Sequence, residues 1–270
     1  MSQIILVLDQ KKATTLATIL QLLKICSDQT AFIMKEDHVH IQVMDKSHIC
    51  ICDCNLYYSW FSTGTTPPLA GSDTNIFVLA TATFYSIISS ITSDQQRLQI
   101  AFDPNVDTFT VDVLYAVTNK EHINKHYTLP LTGTEAEIMD IPECEYITEF
   151  SMGVKTVSDI FTQMSLFGEG VNIRCTEDTV YILSSGDGHK GTVEVAISTN
   201  DFDEYAIDQG ADFTTQYSLA LLNKLCITTK LVPDVKIFIS NNMPMKILYS
   251  LGGDSIVQFF LAPKISTSDD

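Results

Sequence analysis

Ile4-Ile5-Leu6-Val7-Leu8 reads as a short apolar strand, and after it Leu16, Ile19, Leu20 and Leu23 recur on one helical face. That i, i+3, i+4 spacing marks a helix with one buried side. Further on, Val39, Ile41 and Val43 alternate with His38, His40 and Gln42. Period two is the signature of a half-buried strand, with one set facing the core and the other facing away.

This strand, helix and strands unit recurs. Ile76-Phe77-Val78-Leu79, Tyr146-Ile147-Thr148-Glu149-Phe150 and Asp212-Phe213-Thr214-Thr215 open three more units, at spacings of about 65 to 72 residues. Each is followed by a helical stripe: Phe84, Ile87, Ile88 and Ile91; Val157, Ile160, Phe161 and Met164; Leu219, Leu222, Leu225 and Cys226. Leu98, Ile100 and Phe102, and later Val235, Ile237 and Ile239, alternate as strands. Gly186-Asp187-Gly188 and Gly252-Gly253-Asp254 read as turns between strands. The segment from Thr132 to Cys144 has no regular period and reads as a linker. The expected organisation is therefore α+β: an N-terminal domain over 1–131, a connector over 132–145, a C-terminal domain over 146–265, and a disordered acidic tail over 266–270. Each domain should carry two helices packed on antiparallel sheets.

Hydrophobic residues make up 45% of the 270, enough for a sizeable core. The net charge is -17, with 16 Lys and Arg against 33 Asp and Glu. By itself that argues against tight nucleic-acid binding, because phosphate contacts need cations. No run of 18 apolar residues predicts a membrane-spanning helix, and the N-terminus lacks the basic region of a signal peptide. Seven cysteines, an odd number, fit free thiols in a reducing compartment. Cys50, Cys52 and Cys54 share one face of a strand. No second pair with zinc-knuckle spacing accompanies them, so buried structural thiols are expected and no metal.

Three segments then resemble one family. Gln42-Val43-Met44-Asp45-Lys46-Ser47-His48-Ile49 is similar to Q-S-M-D-S-S-H-V of the proliferating cell nuclear antigen (PCNA) family of DNA sliding clamps. Ile141-Pro142-Glu143-Cys144-Glu145-Tyr146 resembles its I-P-E-x-E-Y, and Phe259-Phe260-Leu261-Ala262-Pro263-Lys264-Ile265 its Y-Y-L-A-P-K-I. The resemblance covers nearly the whole chain. It implies a DNA clamp fold assembled as a pseudo-sixfold ring of three chains, with helices lining a hole around double-stranded DNA and no cofactor. It also implies partners: DNA polymerase and other clients, a clamp loader, and copies of the chain itself as a homotrimer. An acidic outer surface would repel DNA everywhere except at the lining.

By position, the resemblance places a client-peptide site at Met44, His48, Ile49, Met139, Ile141, Pro142, Tyr146, Pro244, Phe260, Leu261, Ala262 and Pro263. Clients would insert a short motif of a glutamine, an aliphatic and two aromatics. Backbone groups near Ala262 and Pro263 would take the glutamine. Methionines suit such a site because they adapt to several partners. DNA-facing residues would be Lys11, Lys12, Lys24, Lys155, Lys224 and Lys230, beside Thr14, Thr18, Gln21, Tyr85, Ser86, Ser89, Ser90, Ser158 and Asn223. Subunits would meet along Lys125 to Leu131 and Gly191 to Ile197, through Tyr127, Leu129, Leu131, Val193, Val195 and Ile197. Pro130 would shorten that pairing.

The chain departs from the family at several places. Ser86 and Ser89 stand where related clamps carry lysines, and Asp159 and Thr162 where they carry arginines. Ala220 and Ile227 replace basic residues, and Glu177 replaces the family's modifiable lysine. Phe260 replaces a tyrosine. Weak direct contact with DNA is the expected consequence. The departures also point to a divergent source: nuclear if cellular, or a viral replication site in nucleus or cytoplasm. No phosphate-binding glycine loop or hydrolase motif is present. Asp103, Asp107 and Asp112 leave a metal-dependent nuclease as a remote alternative. Closer alternatives are a clamp-like checkpoint subunit of a mixed ring and a monomeric or dimeric processivity factor.

Overall fold

The computed structural model describes residues 4–65, 75–103, 106, 108–133, 138–142, 144–186, 191–226 and 231–264. Lys230, Ile227, Asp107, Glu143, the Asp187-Gly188 part of one turn and the acidic tail lie outside them. The chain divides into two compact units. The first comprises Met1–His48, Cys52–Met139 and Ser250–Val257; the second comprises Ile49–Ile51, Asp140–Tyr249 and Gln258–Asp270.

In the first unit, β1 (Ile4–Asp9) runs into α1 (Gln10–Cys26), then β2 (Gln29–Met34), β3 (His38–Met44) and β4 (Cys50–Tyr57). The unit repeats with β5 (Asn75–Ala80), α2 (Thr81–Ile88), β6 (Gln96–Phe102), β7 (Thr108–Tyr115) and β8 (Lys125–Pro130). One antiparallel sheet has the order β1-β6-β7-β8. Its register sets Leu98 opposite Val113, Ile100 opposite Val111 and Phe102 opposite Phe109, all buried. β4, β3, β2 and β5 lie side by side in that order. The helices pack on each other and touch strands of both sets.

Asp9 starts α1, its carboxylate accepting the Lys12 N–H at 2.9 Å. The stripe Leu16, Ile19, Leu20 and Leu23 is buried, as its spacing predicts. Phe77 anchors the core, with ring centroids 5.1 Å from Phe32, 4.8 Å from Phe102 and 5.9 Å from Phe109. At eight residues, α2 is too short to persist alone, so packing holds it. It stops at Ile88, so Ile91 is buried beyond the helix rather than on its face. Ser90 and Ile91 instead bond back three residues, to the carbonyls of Ile87 and Ile88.

The second unit follows the same plan. β9 (Thr148–Gly153), α3 (Val154–Met164), β10 (Gly170–Cys175), β11 (Thr179–Ser185), β12 (Thr192–Ser198) and β13 (Glu204–Ile207) come first. Then follow β14 (Phe213–Ser218), α4 (Leu219–Cys226), β15 (Asp234–Ile239), β16 (Met245–Gly252) and β17 (Ser255–Leu261). One sheet has the order β12-β11-β10-β14, and β13-β9-β15-β16-β17 run side by side. α3 packs on α4, and Val157, Phe161 and Met164 of the one and Leu222 and Leu225 of the other are all buried. The architecture is α+β, with a helix pair against antiparallel sheets in each unit. No helix among the described residues is long and apolar enough to cross a membrane.

Candidate functional site

On α1, Lys11, Thr14, Gln21 and Lys24 are exposed. Lys12 is only half-exposed, and its ammonium donates to the Phe61 carbonyl at 3.1 Å. Thr18 departs from its expected place on the polar face: it is buried, and its hydroxyl donates to the Thr14 carbonyl at 2.9 Å. α1 packs against α2 and against strands of both sets, so more than one of its sides is covered, which a single apolar stripe does not reveal. Lys24 lies 4.6 Å from the centroid of the Tyr85 ring, a cation–π contact across the helix pair. In the second unit Lys155, Asp159, Thr162 and Lys224 are exposed and Ser158 is half-buried.

The hydroxyls on these helices point their protons inward. Thr14 donates to the Gln10 carbonyl at 2.9 Å, Ser86 to Ala82 at 2.8 Å, Ser89 to Ser86 at 3.3 Å and Ser90 to Ile87 at 2.7 Å. A hydroxyl that has spent its proton offers only lone pairs, which do not bind phosphate. The chain has two arginines, both on strands. Arg174 forms a two-pronged pair with Asp212 at 2.7 and 2.6 Å, and Arg97 donates to the Thr63 carbonyl.

Sheet edges differ in how they are closed. Along β1, Val7 O accepts from Ser62 N at 2.7 Å, and Val7 N donates to the Thr65 hydroxyl at 3.0 Å. Along β5, Val78 exchanges bonds of 2.8 and 3.2 Å with Thr132 and Gly133. Along β14, Gln216 O accepts from Lys264 N at 2.7 Å. No such cover lies along the outer edges of β8 and β12 among the described residues. Tyr127 and Leu129, and Val193, Val195 and Ile197, are half-exposed there. Leu131 is also half-exposed but lies past β8, which ends at Pro130. On the same strand His126 meets Asp112, its cross-strand partner, at 2.5 Å.

The residues named for client binding fall into two groups, each within one unit. In the first unit, Met44 and Met139 line a cavity of about 410 Å³ with Ala31, Gln42, Val43 and Val78. His48 is exposed and sits in the left-handed region, φ 57°, in a turn closed by its N–H to the Asp45 carbonyl at 3.0 Å. In the second unit, Ile49 is 39% exposed, Pro142 is exposed, and Ile141, Pro244, Phe260, Ala262 and Pro263 are half-exposed. Leu261 is fully buried, so only its backbone can meet a ligand. Ala262 N–H is already given to the Ile49 carbonyl at 2.9 Å, and proline has none. Only carbonyl oxygens remain there, and they would accept from the amide nitrogen of a glutamine. The Tyr146 ring lies 5.6 Å from that of Phe238 beside a cavity of about 380 Å³, and burial pushes its phenol up to about 12.

Residues 140–264 match the family described as "Proliferating cell nuclear antigen, C-terminal domain". A curated relative, the proliferating cell nuclear antigen of Chaetomium thermophilum, is 25% identical over 262 residues, 96% of this chain and 98% of that protein. Residues 140–264 thus carry the pattern of the PCNA C-terminal domain, and the chain as a whole is similar to PCNA. A solved structure of PCNA from Thermococcus kodakaraensis superposes with a TM-score of 0.83 at 15% identity, covering 97% of this chain and 100% of that one. The clamp fold is thus shared along the full length.

Within this chain, several positions carry structural work. Glu177 accepts the Gly210 N–H at 2.7 Å, so it ties two loops together. Cys50, Cys52 and Cys54 are fully buried, and burial pushes the thiols of Cys52 and Cys54 well up. They are inert packing groups. One arrangement was not anticipated from the sequence: His40, Asp53, Gln42 and Met139 form a connected polar network in the first unit. His40 and Gln42 stand on one face of β3 by period, but Asp53 and Met139 come from distant sequence, so no local pattern announces the link.

Proposed function

We propose that the chain is a DNA sliding clamp and processivity factor: a non-catalytic ring that encircles duplex DNA and tethers polymerases and repair enzymes. Similarity to PCNA along the chain supports the role. The uncovered outer edges of β8 and β12, six and seven residues long, support self-assembly most directly; β13, also without cover among the described residues, is only four residues long. Antiparallel pairing of β8 with β12 of the next copy would satisfy both edges and close three chains into a ring. Tyr127, Leu129, Val193, Val195 and Ile197 would pack at each joint, with Leu131 at its margin. The short β8, ended by Pro130, makes each joint modest, so a loader and DNA complete the ring in the cell.

Lys11, Lys24, Lys155 and Lys224 are the DNA-facing cations, with Lys12 a lesser one; Lys230 belongs with them by position. Clients bind through a short glutamine, aliphatic and aromatic motif, using the apolar residues named above. A eukaryotic relative supports the nucleus as the compartment for a cellular source.

Retention on DNA tests this directly. Loaded protein should stay on closed circular duplex at high salt and leave within minutes once the circle is cut. Loss at equal rates from circular and linear DNA would refute topological linkage. Native mass across protein concentration reports the ring separately, with three chains expected at the high end.

A further inference from the structure

We propose that Asp53 is a positioning residue for client binding, acting through Gln42 on the backbone of Met139. This rests on the client-binding role proposed above. Asp53 Oδ1 stands 2.7 Å from His40 Nε2 and accepts the Gln42 Nε2–H at 3.2 Å. Gln42 Nε2 also donates to the Met139 carbonyl at 3.1 Å, while Gln42 Oε1 accepts the Met139 N–H at 2.7 Å. Both backbone groups of Met139 are therefore held by one side-chain amide.

An amide has two ends, and only one arrangement works here. An ionised carboxylate is acceptor-only, so Asp53 admits the nitrogen end of Gln42 and repels the oxygen end. That choice leaves Oε1 facing the Met139 N–H. Turning the amide round would set oxygen against carboxylate and oxygen, and N–H against N–H. His40 completes the arrangement by holding the same carboxylate oxygen, Oδ1. The His40 and Asp53 side chains are 13% and 8% exposed, so water competes little for these bonds.

The held residue matters because it is a wall. Met139 lines the cavity of about 410 Å³ with Met44, Val43 and Ala31, and Gln42 lines it too. Placing the Met139 backbone sets one wall of a cavity whose apolar side, Ala31, Val43, Met44 and Val78, would take an aliphatic or aromatic client side chain. Asp53 itself does not line that cavity, so its effect on clients has to pass through Gln42.

The test uses the full-length protein, Asp53→Ala and Asp53→Asn. Two readouts are taken: hydrogen exchange at the Met139 amide, and the Kd of a synthetic peptide carrying a glutamine, an aliphatic and two aromatics. Ala removes the acceptor, and Asn can keep an oxygen in the same place. For Ala, the Met139 amide should exchange at least about tenfold faster and the peptide bind about tenfold more weakly, the scale of one charge-assisted hydrogen bond. Asn should recover most of both, with native mass unchanged throughout. Unchanged Met139 exchange in the Ala variant would overturn the positioning role, whatever the peptide does. Faster exchange with unchanged peptide affinity would overturn the link to clients. Wild-type protein that binds no such peptide would sink the client reading itself, while the exchange data would still judge the Gln42 network. Should the Ala variant misfold, the isosteric Gln42→Glu sets two carboxylates together. It should show the same losses, and Gln42→Glu with Asp53→Asn should recover part of the Met139 protection, since the new side-chain amide can donate to the new carboxylate while the Met139 carbonyl stays unpaired. A double variant no better than Gln42→Glu would refute the coupling.

Discussion

Restoring cations to the helices should steepen the salt dependence of DNA binding by a calculable amount. The perturbation is Ser86→Lys, Ser89→Lys and Asp159→Arg in one chain; all three side chains are exposed. The serine hydroxyls already donate to the Ala82 and Ser86 carbonyls, so replacing them removes no tertiary contact. Each new cation that reaches a phosphate adds about −0.9 to the slope of log K against log salt. Between about 50 and 200 mM salt, one such contact costs roughly 3.5-fold in affinity, and three cost roughly 40-fold per chain in contact. The assay is fluorescence anisotropy on a short linear duplex, where no ring can be trapped topologically. The variant should bind tighter at low salt and lose that gain as salt rises. Wild-type protein offers four exposed helix lysines among the described residues, Lys11, Lys24, Lys155 and Lys224. Their slope should stay shallower than about −3.6 per chain in contact. A steeper wild-type slope, or an unchanged slope in the triple variant, would refute the idea that these helix faces are where DNA lies and that they are poor in phosphate contacts.

Phe77→Ala should cost about 3–5 kcal/mol, because it empties a site lined by Phe32, Phe102 and Phe109; urea unfolding reads this as a lower midpoint. Arg174 holds the Asp212 carboxyl below the ordinary aspartate range through two hydrogen bonds. A lowered folded value means the pair's stabilisation is complete above the unfolded pKa and fades as pH falls through the folded one. An NMR titration should find Asp212 ionised below the usual aspartate midpoint, and Arg174→Gln should return it upward. Both side chains are about half exposed, so high salt should shrink the shift. Among the seven cysteines, Cys144 alone is not buried. Alkylation of native protein, followed by mass spectrometry, should label Cys144 first; early labelling of Cys50, Cys52 or Cys54 would contradict their burial.

What sequence could and could not foretell follows from how far each interaction reaches. A helix face is written in residues three and four apart, and a strand face in residues two apart. Leu16, Ile19, Leu20 and Leu23, and Val39, Ile41 and Val43, therefore announced their burial directly. Thr18 did not, because α1 is packed by several elements whose approach leaves no period in its own sequence. Gln42 is the sharper case. By alternation it belongs with His38 and His40 on the outward face of β3, yet it is 9% exposed. Met139, 97 residues away, lies against it. A buried amide survives only when its donors and acceptor are matched, and here the matching groups are Asp53 and the Met139 backbone. A polar residue buried against its own strand's period is thus a pointer to a long-range partner. The same logic separates the sheet edges. Edge strands β1, β5 and β14 are bonded by segments remote in sequence, while among the described residues β8 and β12 have no such cover. Their alternating, half-exposed apolar residues were legible; that no other described residue covers them was not. Half-exposed Val193, Val195 and Ile197 on an uncovered edge would be a liability in a lasting monomer. The acidic composition that argues against DNA binding fits this economy, since a ring holds DNA by closure and needs few cations once closed.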